Sequence, residues 1–326
     1  MCKDYFYSSI FSSYITDYIH QRRLSGFSFT TAPYWLSRFD RYCVLVNVTK
    51  PAVTKELFDS WSVKSKTENK TTQSSRIDAV RGFCIYLNAM GIASYIPRNF
   101  TKAEKKVPYL MSDNEIHAFF EQVDAYETSS PAVDAFVRLA KEYKILFRLI
   151  YCCGLRNSEA CGLKYSDTDI DNGILTIRHS KGDKDRLVYL AKDVSELCGR
   201  YKDYLIRILG HEPEWLFPGR DTEKPIPNTS VDRIFNKFWN DTDSSKACDK
   251  KPTVHCLRHS FVIKRMNLWM ASDMDLGVMM PYLSSYLGHA GTEETYYYYH
   301  QVEEAFESIK RKDKLSSRVI PEVEYE

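Results

Sequence analysis

No apolar run in this chain reaches the roughly 18 residues that a membrane-spanning helix requires, so no transmembrane segment is expected. Residues Met1 to Ile10 include Cys2, Lys3, Asp4 and Tyr5 and lack an apolar stretch, which argues against a signal peptide. The cysteines, at 2, 43, 84, 152, 153, 161, 198, 248 and 256, are odd in number, irregularly spaced and nowhere arranged as C-x-x-C. That excludes a disulfide framework and a zinc knuckle, leaves the thiols as small buried hydrophobes and fits a reducing, cytoplasmic setting. Internal repeats and low-complexity tracts are missing too. Net charge is small, +2 over 326 residues. What remains is the composition of a packed globular protein, 44% hydrophobic and 27% charged, with length for about two domains.

The charge is unevenly spread. Residues 1–100 carry 13 Lys/Arg against 7 Asp/Glu, while the rest carries 32 against 36. A basic N-terminal domain is suited to phosphate. Its apolar spacing predicts helices over Tyr7 to Gln21, Ala32 to Cys43 (after a cap in Ser28 to Thr31), Thr54 to Trp61 and Ser74 to Met90, the last stopped by Gly91. The stretch from Pro97 to Pro108 has no apolar period and holds Lys102, Lys105 and Lys106, candidate contacts for a DNA backbone. Ser112-Asp113-Asn114-Glu115 reads as a capped helix start. Ile174 to His179 and Leu187 to Leu190 are β-rich runs around a polar turn, predicting a hairpin or three-stranded sheet. Helical spacing returns over Val194 to Leu209, Ser230 to Trp239 and from about Pro252, with Asp241 to Lys251 a polar loop. The expected fold is mostly α with a small β-sheet (α+β). It comprises a helical DNA-binding domain at 1–100, a linker at 101–109, and a catalytic domain at 110–326 ending in a tail helix.

Four features carry chemistry. Cys153-Gly154-Leu155-Arg156 presents an arginine at a helix start, with Glu159 three residues on to orient it. Lys181 lies in the turn between the two strands. His255 and Arg258, three apart, share a helix face. Leu287-Gly288-His289 is followed by four consecutive tyrosines, Tyr296 to Tyr299, and His300. Read alone, each has a plainer meaning: a surface ion pair, a solvated turn lysine, core aromatics. His255 and His259, at i and i+4, could be metal ligands, but no Glu stands between them as in zinc proteases and no third ligand is near in sequence.

Taken in order, Arg156, Lys181, His255-x-x-Arg258, His289 and a late tyrosine resemble the tyrosine recombinase family of phage integrases. The resemblance covers residues 108–315 through motifs and the N-terminal domain only in size, helicity and charge. The stretch Met266 to Met280 looks like additional material and, with the tyrosine-rich ending, is reminiscent of transposon-encoded members. The family spacing from the second histidine to the nucleophile falls on Tyr298, and Tyr298-Tyr299-His300 matches its usual Tyr-x-His. The resemblance implies site-specific recombination for integration, excision or transposition. In it Tyr298 attacks phosphorus, His255 accepts its proton and Lys181 protonates the leaving oxygen. Arg156, Arg258 and His289 hold the phosphate, with Glu159 and His259 in support. No metal, other cofactor or ATP is implied. Expected partners are duplex DNA with inverted core sites, other copies in a tetramer joined through the C-terminal tail, and accessory DNA-bending proteins, the whole nucleoid-associated. A type IB topoisomerase-like enzyme, a non-catalytic DNA-binding regulator and a zinc hydrolase are the alternatives.

Overall fold

The computed structural model describes residues 5–26, 29, 31–97, 108–128, 130, 132–178, 185–248, 250–272, 274–289 and 291–299, and divides into two compact units, Met1–Val107 and Pro108–Glu326. The expected positions Lys102, Lys105, Lys106 and Lys181, and the tail helix after residue 300, lie outside the described residues.

The first unit is helical. α1 (Ser12–Leu24), α2 (Ala32–Leu45), α3 (Lys55–Ser62) and α4 (Lys70–Ala89) enclose a core of Phe11, Ile15, Leu36, Phe39, Phe58, Val80 and Phe83. Two starts differ from the apolar spacing. α1 begins five residues late because the buried Asp40 accepts the Ser8 and Ser9 amides at 2.8 and 3.0 Å, holding that segment out of the helix. α4 begins four residues early because Asn69 caps it, its side chain accepting the Thr72 amide at 2.8 Å.

The second unit packs eight helices and a three-stranded sheet among its described residues. α5 (Asp113–Ala125) opens with the reciprocal cap expected of Ser112 and Glu115. α6 (Asp134–Cys153) is the central element, packed against α8 (Lys192–Leu209) and α10 (Val254–Ala271). Short α7 (Asn157–Cys161) follows, then the antiparallel sheet β1 (Thr168–Asp169), β2 (Ile174–Ile177) and β3 (Arg186–Tyr189), paired in that order with Leu175 opposite Val188. α9 (Asn228–Asn240) packs on α5, and α11 (Leu276–Leu287) and α12 (Glu293–Tyr299) complete the unit. The expected mixture of many helices and one small sheet is what the chain adopts. The stretch Met266 to Met280 finishes α10 and starts α11. Its Met266, Met270, Leu276 and Met280 build a separate apolar cluster with Leu283, Leu287 and Tyr298.

Candidate active site

Two glycine turns place the site. Gly154, at φ 64°, ends α6 in the left-handed conformation, and a β-carbon there would come within 2.5 Å of the Phe261 ring of α10. The chain therefore turns tightly against α10 and delivers Arg156 two residues later, as the residue preceding α7. Gly288, also at φ 64°, ends α11: its amide donates to the Ser285 carbonyl and that of His289 to Ser284, both at 3.0 Å. This closure is the one expected of a left-handed glycine cap, and it sets His289 just beyond the helix end.

Glu159 is the centre of what these turns bring together. Its carboxylate accepts from the Arg156 amide at 2.9 Å and from Arg156 Nη1 at 2.7 Å. It also accepts from Arg186 Nη1 and Nη2 at 2.9 and 2.8 Å, and Arg258 Nη1 stands 3.9 Å away. Arg258, 1% exposed, donates to the Gly154 carbonyl at 2.6 Å and the Leu287 carbonyl at 2.8 Å. Burial, then the charge of Arg156, lowers its pKa to about 10, so it remains a cation at neutral pH. One carboxylate thus faces three guanidiniums.

His289 joins the cluster with Nε2 3.1 Å from Arg258 Nη2 and Nδ1 2.7 Å from the Thr295 hydroxyl. A guanidinium only donates, so Nε2 accepts there and Nδ1 carries the proton given to Thr295, which is fully buried. On α12, Tyr298 is buried while Tyr296 is 40% exposed, as successive helical residues must diverge. The Tyr298 hydroxyl lies 2.6 Å from His259 Nδ1. Burial, against the opposing Arg258, raises this phenol to about 12. Burial, then His255 and Arg258, lowers His259 to about 3, so its imidazole is neutral and able to accept the phenol's proton. The His255 ring meets that of His259 edge to face, centroids 4.5 Å apart. Enclosure and then Arg258 and Arg156 lower His255 to about 4, although much of the residue is open to solvent.

The structure therefore gathers Arg156, Glu159, His255, Arg258, His259, His289 and Tyr298 in one place. The pair His255 and His259 shares this place with guanidiniums, and among the described residues no group of three metal-ligating side chains forms. Sequence reasoning gave no role to Arg186 or Thr295. Arg186 follows the strand-joining turn with no local pattern to mark it, and Thr295 is legible only once α12 is seen to pass His289.

Comparison with known proteins settles the family. The model of the Phage integrase family matches residues 121–305. The chain belongs to that family. This integrase-family chain is 28% identical over 305 residues to an integrase/recombinase of Sinorhizobium fredii, across 89% of itself and 92% of the relative. It is 26% identical over 297 residues to the tyrosine recombinase XerC of Thermodesulfovibrio yellowstonii, across 88% and 91%. Among solved structures, the XerH site-specific recombinase in a post-cleavage complex with palindromic difH substrate superposes with a TM-score of 0.63. Identity there is 23%, over 86% of this chain and 78% of that one. The Tn1549 transposon integrase in complex with circular intermediate DNA gives 0.61 at 16%, over 91% and 98%. At such identities the structures establish a shared fold.

Proposed function

We propose that this tyrosine recombinase cleaves and rejoins duplex DNA at specific sites through a 3′-phosphotyrosine on Tyr298. The observation that carries this reading is the convergence of Arg156, Arg258 and His289 at the end of α11, with the Tyr298 hydroxyl bonded to a neutral imidazole in the same cluster. Attack on a phosphodiester builds negative charge on the non-bridging oxygens. Fixed, forked guanidinium donors in a poorly hydrated place stabilise that charge better than ammonium groups. His289 would donate to the same phosphate once Arg258 turns to it and Nε2 takes up a proton, the Nδ1–H staying on Thr295.

Tyr298 Oη bonds to phosphorus while the bond from phosphorus to the 5′-oxygen breaks. The phenol proton must leave, and at a pKa of about 12 it does not leave unaided. His259 Nδ1 is the acceptor the geometry supports, with His255 packed behind it rather than on the hydroxyl. Lys181 remains the proposed proton donor to the 5′-oxygen, on its place in the motif. Rejoining reverses these steps with a 5′-hydroxyl from a second duplex. The ester keeps the bond energy, so neither ATP nor a metal ion is needed.

A direct test uses a duplex selected by the full chain from a random-sequence library, resynthesised with a nick beside the cleavage point so that rejoining fails. A detergent-stable protein–DNA adduct should form in EDTA. An adduct that requires added magnesium would overturn the mechanism.

Two finer proposals concern partners. The charge surplus of residues 1–100 assigns DNA binding to the first unit, so deleting them should weaken binding and flatten its salt dependence. An unchanged slope would contradict that. Residues 302–309 carry an apolar stripe, Val302, Ala305, Phe306 and Ile309, with Glu303, Glu304 and Glu307. A groove of about 430 Å³ lined by Phe261, Trp269, Tyr282, Tyr286 and the cation Arg265 suits such a stripe from a neighbouring copy, and so a tetramer on inverted sites. Truncation after Gln301 should abolish assembly on DNA. Assembly that survives it would remove the tail from the account.

A further inference from the structure

The last carbonyls of α11 and its glycine cap each accept from a different arginine. Arg186 Nε donates to Tyr286 at 2.8 Å, Arg258 Nη2 to Leu287 at 2.8 Å and Arg156 Nη2 to Gly288 at 2.9 Å. These arginines come from β3, α10 and the turn before α7, and the carbonyls at a helix C-terminus are the ones left without helical partners. The negative end of the helix dipole thus meets three cations. Two of them are the phosphate ligands of the proposed reaction. Arg186 is the third, 9% exposed along its side chain, with both Nη atoms on Glu159.

A carboxylate alone with one arginine takes it in a two-point fork and cancels its charge. Here Arg186 holds that two-point position on Glu159. Arg156 reaches the same carboxylate with Nη1 on Oε1, while its Nη2 is turned to the Gly288 carbonyl. Gly288 gives an independent sign of the same fit. A β-carbon at that position would lie 3.0 Å from Arg186 Nη1 and 3.3 Å from its Cδ and Cζ, so the absence of a side chain admits the guanidinium as well as the left-handed turn.

We propose that Arg186 is a positioning residue of the reaction. By holding the two-point position on Glu159 and tying β3 to the end of α11, it keeps Arg156 from forking onto that carboxylate and holds Arg156 and Arg258 in place for the scissile phosphate. The inference rests on the reading that Arg156 and Arg258 bind that phosphate.

The test compares two forms of the nicked duplex in single-turnover cleavage. One carries the ordinary scissile phosphate, the other an uncharged methylphosphonate at that position, which asks less of a cationic clamp. Removing one direct donor to developing charge costs about 10²–10³ in rate, so loss of a residue that positions such donors is expected to cost about 10–100-fold. Arg186→Gln should slow cleavage of the phosphate by that factor, with DNA affinity within about three-fold, and slow the methylphosphonate by less than about three-fold. Arg186→Lys should recover little, because an ammonium cannot fork onto Glu159. The ratio of the two rates is read on one preparation and does not depend on how much of it is folded. Equal slowing on both duplexes would mean a merely structural role and would overturn the proposal, as would undiminished cleavage of the phosphate. Arg156→Ala, run alongside, separates the two levels: if it too cleaves the phosphate at the full rate, the clamp itself is wrong.

Discussion

Two buried arginine–glutamate sites of the second unit show how a strut differs from a receptor. Arg138 and Glu142, one turn apart on α6, are 2% and 0% exposed, and Arg138 also donates to the Pro218 and Gly219 carbonyls at 3.0 and 2.6 Å. There one cation meets one anion, and the pair fastens α6 to a loop. Around Glu159 one carboxylate is shared by Arg156, Arg186 and Arg258, and each of the three guanidiniums also donates to a carbonyl at the end of α11. A pair balanced in charge calls for no further ion. An unbalanced cluster in a poorly hydrated place is stabilised by an arriving anion, and a phosphodiester is such an anion.

The comparison breaks most sharply under substitution. Arg258→Ala should lower the single-turnover cleavage rate by about 10³, since it removes donors from the developing charge. Replacing the other site as a unit, Arg138→Met with Glu142→Leu, should leave cleavage within about three-fold. Its stability should shift by about 2 kcal/mol at most in either direction, because a buried pair often exchanges for apolar groups at little cost. Arg138→Ala alone should cost about 3–5 kcal/mol in urea unfolding, as it strands Glu142. A double variant that cleaves as poorly as Arg258→Ala would show that charge balance is not what separates the two sites.

A smaller effect distinguishes them by pH. The pKa of His259 falls from 6.5 to about 3 on folding. Its contribution to stability is therefore full above pH 6.5 and is lost as pH drops from there toward 3, where the unfolded chain binds the extra proton. Glu142 moves the opposite way: burial raises its carboxyl above the usual range, against the lowering by Arg138. Stability on its account therefore falls as pH rises past the ordinary carboxylate range, where the unfolded chain gives up the proton first. Unfolding followed from pH 4 to 9 should show His259→Gln flattening the acid limb and Glu142→Gln the alkaline one. Unaltered limbs would mean that neither group is held as described.

Much of this was legible in the sequence, for reasons that differ by residue. Local spacing exposes anything governed by one helix or one turn: the reciprocal cap of Ser112 and Glu115, the Gly154 turn that presents Arg156, the three-residue step from Arg156 to Glu159. The start of α1 was not legible, because the group that displaces it, Asp40, is on another helix. Arg186 escaped for the same reason: its partners Glu159 and Tyr286 are 27 and 100 residues away. His259 was placed in a supporting role because His255 begins the family's motif; only the packing of α12 against α10 shows which ring the Tyr298 hydroxyl meets.

The central claim is that this cluster is aimed at one tyrosine among four neighbours. Digesting the covalent adduct on the nicked duplex and sequencing the DNA-linked peptide by mass spectrometry tests it most directly. The nucleotide should sit on Tyr298, Tyr298→Phe should give no adduct, and Tyr296→Phe should still give one, since Tyr296 points to solvent. A nucleotide on Tyr296, Tyr297 or Tyr299, or an adduct that persists in Tyr298→Phe, would contradict the account.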